Sequence, residues 1–116
     1  MSRLMARHLY GLVDVLILKT LSTHGPQHGL AVLDRIRAGS DDFLQIEDAA
    51  LYPALHRLHQ EGLLEAEWRI SDKGRQAKYY TLTQRGRREM ERAVRIWERH
   101  TLAVSRILQV SLERLS

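Results

Sequence analysis

Two runs rich in aromatic and apolar residues, 63–70 and 77–82, bracket the polar turn Ser71-Asp72-Lys73-Gly74-Arg75-Gln76, and helical patterns stand on both sides of them. A polar turn with one glycine between such runs joins antiparallel strands, so the centre of the chain reads as a β-hairpin. A hairpin cannot fold alone, and the flanking segments have to supply its core. Ahead of it lie three apolar stripes with helical spacing. The first spans Tyr10–Leu21 and carries Leu12, Val13, Leu16, Ile17 and Leu21. The second runs from Gln27 or His28 to Ala38 with Leu30, Val32, Leu33 and Ile36. The third starts at residues 48–50, carries Leu51, Leu55 and Leu58, and ends at Gly62.

The punctuation agrees with these limits. Thr23-His24-Gly25-Pro26 stops the first helix and Gly39-Ser40 the second, because glycine ends helices and proline biases the residue before it away from the helical region. Residues 41–45 form a connector, and Asp48 is a candidate cap for the third helix. Pro53 is tolerated near that helix's first turn, where few backbone donors have an intrahelical partner to lose.

After the hairpin, Thr83 is placed to cap a long final helix that meets no further proline. Met90, Val94, Trp97, Thr101, Val104, Leu108, Ser111 and Leu115 follow one another at alternating four- and three-residue steps, the spacing of a helix-pairing seam. Ala93, Ile96, Ala103 and Ile107 widen the stripe. A chain of 116 residues has too small a core of its own to cover so broad a face, so a second copy is the expected cover, with Leu12 and Leu16 of the first helix beside the seam. Three helices, a hairpin and a long helix define the expected fold: mainly α with a small β-hairpin, a winged helix-turn-helix over residues 1–83 and a C-terminal dimerisation helix over 84–116.

Charge narrows the partners. The chain carries a net charge of +4, but it is unevenly spread. Residues 69–88 hold seven cations against one acid, a local +6, whereas residues 34–67 hold eight acids against three cations, a local −5. A basic hairpin beside a helix-turn-helix favours a polyanion as partner. Cysteine is absent, which excludes disulfides and thiolate chemistry and fits a reducing cytoplasm. The first residues show no leader pattern and no stretch long enough to span a bilayer, so no membrane association is expected. His56 and His59 share one helix, and His24 and His28 flank a turn, without the converging carboxylates or thiolates of a metal site. No nucleophile motif, phosphate-cradling loop or carboxylate pair stands out, so neither an enzyme nor a cofactor is expected.

With the motifs in place, the chain resembles the PadR family of bacterial transcriptional regulators over roughly residues 9–108. The resemblance rests on His28-Gly29 opening the second helix, Leu51-Tyr52-Pro53-Ala54-Leu55 in the third and Glu61-Gly62-Leu63 at its end. Lys78-Tyr79-Tyr80 in the second wing strand and Leu82-Thr83-Gln84-Arg85-Gly86 entering the last helix complete it. Two departures from the family pattern stand out. Ala49-Ala50 replaces a glycine and a hydroxyl residue, removing a capping hydroxyl and a phosphate contact, and Leu30 stands where tyrosine is usual.

The resemblance implies duplex DNA as partner, with the third helix in the major groove. It places Ala50 at the DNA-facing start of that helix and gives Tyr52 a phosphate contact through its hydroxyl, the alternative being a tyrosine packed on the first helix. His56 and Arg57 face solvent if Leu51, Leu55 and Leu58 face the core; either could read a base edge, and Arg57 is the better match for guanine. Lys73, Gly74 and Arg75 form the wing tip, where glycine allows close approach and the cations neutralise phosphates. Lys78 adds a contact from the wing strand, and one of Tyr79 and Tyr80 packs inward because adjacent strand residues alternate faces. Trp68 reads as packing.

Trp97 either fills the dimer core or lines an intersubunit cavity for a flat hydrophobic effector, as in some relatives. The expected function is therefore a homodimeric repressor on a palindromic operator. The alternatives are a repressor that senses a small aromatic compound and a winged helix used as a protein-interaction module.

Overall fold

The computed structural model describes residues 11–111. Helix α1 (Leu12–His24) begins after Gly11 and ends at Gly25, whose N–H still reaches the Leu21 carbonyl. Thr23 and His24 therefore belong to its last turn, and the stop falls on Gly25-Pro26. Tyr10, expected to open this helix, lies outside the described residues. Ile17, Leu18 and Leu21 are buried, with Val13 and Leu16 packed against them.

The second helix begins later than its apolar pattern implies. Gln27–His28 form a two-residue strand, β1, and α2 runs from Gly29 to Gly39. His28 then caps the helix, its ring Nδ1 accepting the Ala31 N–H at 3.2 Å, in the role usually taken by serine, threonine or aspartate. Ser40 closes the other end, and its hydroxyl accepts the Leu44 N–H at 2.9 Å, which folds the connector back under the helix.

Helix α3 (Asp48–Gln60) buries Leu51, Ala54, Leu55 and Leu58. Asp48 is its first helical residue and not its cap. Glu47 takes the cap position without a side-chain hydrogen bond, so two acids simply lie at the positive end of the helix dipole. Pro53 falls just beyond the first turn, as the sequence requires.

Strands β2 (Leu64–Ile70) and β3 (Gln76–Leu82) pair from Leu64↔Leu82 to Ile70↔Gln76, and β1 adds to the other edge of β3 through Gln27↔Tyr80 and His28↔Tyr79. The expected two-stranded hairpin is thus part of a three-stranded antiparallel sheet in the order β1-β3-β2. A two-residue strand has no periodicity to read, and its partner lies some fifty positions away. Tyr80 is the inward tyrosine of the pair, 7% exposed.

Helix α4 (Gln84–Leu108) is capped by Thr83, whose hydroxyl accepts the Gly86 N–H at 2.9 Å. The joint between α3 and α4 is dense. Thr83 donates its hydroxyl to the Gly62 carbonyl at 2.8 Å and its N–H to the Leu63 carbonyl at 3.1 Å, while the Arg85 guanidinium donates to the Glu61 carbonyl at 2.9 Å. A Cβ on Gly86 would collide with the Leu63 carbonyl oxygen, so only glycine lets the two backbones meet here.

Helix α4 stops at Leu108. Gln109 adopts the left-handed conformation at φ 59°, the Val110 N–H bonds the Ser105 carbonyl at 2.9 Å and the Gln109 N–H the Arg106 carbonyl at 3.3 Å. These are the two hydrogen bonds of a Schellman closure, made without its usual glycine. Ser111, placed on the expected seam, lies past the helix, and Leu115 lies outside the described residues.

The core gathers α1, α2 and α3 over the inner side of the sheet, with Ile17, Val32, Leu51, Leu55, Leu58 and Leu64 all but inaccessible. Met90, expected on the partner-facing seam, is 5% exposed and belongs to this core, and Val94 and Leu16 pack against it. The same helix leaves Leu102, Val104, Ile107 and Leu108 exposed further on, and Leu12 of α1 is 40% exposed.

Candidate nucleic-acid interface

Helix α3 presents an outward ridge. With Leu51, Leu55 and Leu58 inward, Ala49, Pro53, His56 and Gln60 follow at four- and three-residue steps on the opposite side, and all four are exposed. His56 is where the sequence places it. Gln60 does not stand out in the sequence; its signal is its four-residue spacing from His56, and its amide suits a base edge as well as an imidazole does. Ala50, Tyr52 and Arg57 flank this ridge, and each is exposed.

Tyr52 packs on the start of α2. Its ring lies across Gly29 at the start of α2, so closely that a Cβ there would come within 2.6 Å of the ring. Glycine at 29 is the seat of Tyr52, and the His28-Gly29 motif and the tyrosine of the third helix are two halves of one contact. The seated ring keeps 45% of its surface exposed. Beside it, burial of Tyr80, with the Tyr52 phenol adding a smaller contribution, pushes the Tyr80 hydroxyl above its ordinary pKa of 10.0.

Arg57, although exposed, is engaged by partners within the chain. Its guanidinium pairs with Asp14 of α1 and lies 3.8 Å from Glu61, so a base would have to compete with two carboxylates for it. The pairing is invisible in the local sequence because Asp14 lies 43 positions away.

The wing tip is as expected. Lys73, Gly74 and Arg75 are exposed on a turn closed by the Ser71 N–H to the Arg75 carbonyl at 2.7 Å and the Gly74 N–H to the Ser71 carbonyl at 2.8 Å. Gly74 has φ 77° and open space where a side chain would begin. Lys78 is half-buried, its ammonium 5.9 Å above the centre of the Tyr80 ring. Tyr79 meets the His28 ring edge-on at 5.3 Å and carries the Arg69 guanidinium at 5.3 Å on the opposite face of the wing. Trp68 does not pack into the core: it lies mid-strand and is 64% exposed.

The +6 stretch is therefore not one surface. Lys73, Arg75 and Lys78 belong to the wing, while Arg85 donates to the Glu61 carbonyl and Arg87 to the Ser22 hydroxyl at 3.4 Å, both joining α4 to the body.

A second candidate site lies between α1 and α4. A cavity of about 430 Å³ is lined by Val15, Val94, Trp97, Glu98, Thr101 and Leu102. The Trp97 ring tilts against His100 at 5.5 Å, and its buried indole N–H has no hydrogen-bond partner among the described residues. Thr101 spends its hydroxyl on the Trp97 carbonyl at 2.8 Å.

Three helices, a small antiparallel sheet ending in a basic wing and an exposed helix ridge beside it define a winged-helix fold of the nucleic-acid-binding type. Residues 17–92 match the model of the transcriptional regulator PadR-like family, and the chain belongs to that family. Its members are transcriptional regulators and not enzymes. A transcriptional regulator from Clostridium thermocellum superposes with a TM-score of 0.74 at 26% identity, over 84% of this chain and 94% of that one. A PadR-like regulator from Bacillus cereus gives 0.72 at 25% identity over 90% and 99%. A PadR family regulator from Eggerthella lenta gives 0.65 at 30% identity over 90% and 83%. Among curated protein sequences nothing matches. No helix among the described residues is long and apolar enough to cross a membrane.

Proposed function

We propose that the chain is a homodimeric repressor that acts in the cytoplasm on a roughly palindromic duplex operator. Two copies join through α4, with Leu12, Leu16, Val94, Trp97, Thr101, Val104 and Leu108 at or behind the contact, so that residues 84–116 pair the reading heads formed by residues 1–83. Each α3 enters a major groove. His56 and Gln60 face the bases, Ala50 and Tyr52 approach the backbone, and Lys73, Gly74, Arg75 and Lys78 bring the wing to the neighbouring phosphates. Arg57 joins them only on leaving Asp14.

The observation that carries this reading is the exposed α3 ridge together with a wing whose tip holds two exposed cations. Titration of a labelled duplex of the chain's own upstream region tests it. Lys73→Ala with Arg75→Ala weakens binding and lowers the slope of log affinity against log salt by about one for each phosphate that is no longer neutralised. An unchanged slope and affinity would overturn the assignment of the wing. Failure to bind any duplex at low salt would favour a protein-interaction module.

The cavity at Trp97 supports a second, compatible reading, in which a planar aromatic effector binds between subunits and releases DNA. Its lining is mainly apolar, with Glu98 and Thr101 as its polar members. Quenching of tryptophan emission by such compounds, lost in Trp97→Ala, is the expected result. Silence across a broad panel would remove the effector and leave the repressor.

A further inference from the structure

The inner side of the wing stays apolar after it has left the body. Residues directly opposite in an antiparallel ladder share a face, so Leu64↔Leu82, Ala66↔Tyr80, Trp68↔Lys78 and Ile70↔Gln76 make one side of the β2–β3 ribbon. Leu64 and Tyr80 are 1% and 7% exposed and close the core. Further out on the same side, Trp68 and Ile70 are 64% and 65% exposed. Large apolar side chains on a protruding hairpin invite aggregation, and polar residues would serve the fold equally well there.

Charge is sorted between the two sides. Glu65 and Glu67 lie on the outer one, where Arg69 is 3.3 Å from Glu67. The inner one carries Lys78 and leads out to Lys73 and Arg75, with no acid between Leu64 and Ile70 on that side. It also faces the reading helix. Leu64 and Tyr80, on the inner side, share one core with Leu51, Leu55 and Leu58 of α3, and Lys78 sits over the Tyr80 ring. The exposed indole thus stands further out on the side whose base packs against α3, an apolar surface with Lys78 beside it and Asp72, Lys73 and Arg75 at the tip beyond. A nucleic-acid strand has the complementary make-up, apolar faces of sugar rings alternating with phosphates.

We propose that Trp68, with Ile70 beside it, seats against the sugar–phosphate strand that borders the minor groove next to α3, the indole packing on deoxyribose while Lys78 and the tip cations hold the flanking phosphates. The proposal rests on the reading of α3 and the wing as a DNA interface and adds an apolar contact to one that otherwise works by charge. The contact reads no base, so it raises affinity alike for all sequences.

A fluorescein-labelled, mixed-sequence duplex of about 30 base pairs, long enough for two half-sites, is the probe, with the full chain at low salt. Trp68→Ala weakens binding about tenfold, the scale of an aromatic stacking contact on nucleic acid, and Trp68→Phe weakens it less. The salt slope stays that of the parent because no cation has been removed. The part of the emission that Trp68→Phe lacks becomes protected from acrylamide when duplex is added. An exposed side chain is replaced, so the thermal unfolding curves of both variants match the parent's.

Three outcomes would overturn the proposal. Parental affinity in Trp68→Ala, with Trp68 emission indifferent to bound duplex, removes this contact and leaves the DNA reading standing. Parental affinity together with weakened self-association in sedimentation makes the patch a contact between copies. A parent chain that binds no duplex ends both readings.

Discussion

The two halves of α4 continue one apolar stripe into different environments. Gly86, Met90 and Val94 press into the body that precedes them, whereas Leu102, Val104, Ile107 and Leu108 have no such cover among the described residues. One continuous stripe therefore passes from a covered stretch to an uncovered one among the described residues, and the division falls near Trp97, beside the cavity. Apolar spacing reports that a face is to be covered; it does not report by what. The near half is the chain's own structure, and the far half is the surface we assign to a second copy.

The sharpest way to break this division is Gly86→Ala. The added methyl collides with the Leu63 carbonyl, so the variant loses about 3 kcal/mol or more in urea unfolding, or fails to fold. Met90→Ala comes next, at about 3 kcal/mol for a buried methionine, with self-association of the folded fraction unchanged. Val104→Asp and Leu108→Asp invert the pattern. Unfolding of the separated chains is almost unaffected, while dissociation constants from sedimentation rise about a hundredfold, roughly 2.7 kcal/mol, because a charge enters an apolar contact. A dimer indifferent to both aspartates, or a monomer destabilised by them, would erase the boundary.

The smallest effect belongs to the body alone. The Tyr80 hydroxyl has a raised pKa because burial, and secondarily the Tyr52 phenol, disfavour its ionised form. Unfolding lets it ionise at its ordinary value, so the stability it contributes is complete below pH 10 and is lost as the pH rises past that value. The alkaline loss, read from unfolding midpoints, shrinks in Tyr80→Phe.

Much of this was legible because the relevant signals are local. The Thr83 cap, the inward face of α3, the Gly62 stop, the wing turn and the alternation of Tyr79 and Tyr80 all follow from neighbours within a few residues. What stayed hidden depends on distant partners or on where the body ends. Strand β1 exists only because β3 offers an edge to Gln27 and His28. Arg57 looks like a free cation until α1 brings Asp14 to it. Trp68 has the alternation of a core residue, but the strand outruns the core it alternates against. The end of α4 carries no glycine or proline, and Gln109 supplies the left-handed residue in their place.

The joint at residues 61–86 also has a mechanical meaning. The end of α3 is bonded to the start of α4 through Thr83 and Arg85, and Gly86 leaves no slack between them. Beyond Trp97, where its cover by the body ends, α4 extends to Leu108, an arm of about 17 Å at the usual helical rise. A turn of about five degrees there displaces the far end by about 1.5 Å. In a pair held at the far ends the relation runs backwards. In the dimer we propose, a small slip between the two arms would re-aim both reading heads, and the spacing of half-sites would follow from the angle at which α4 leaves the body.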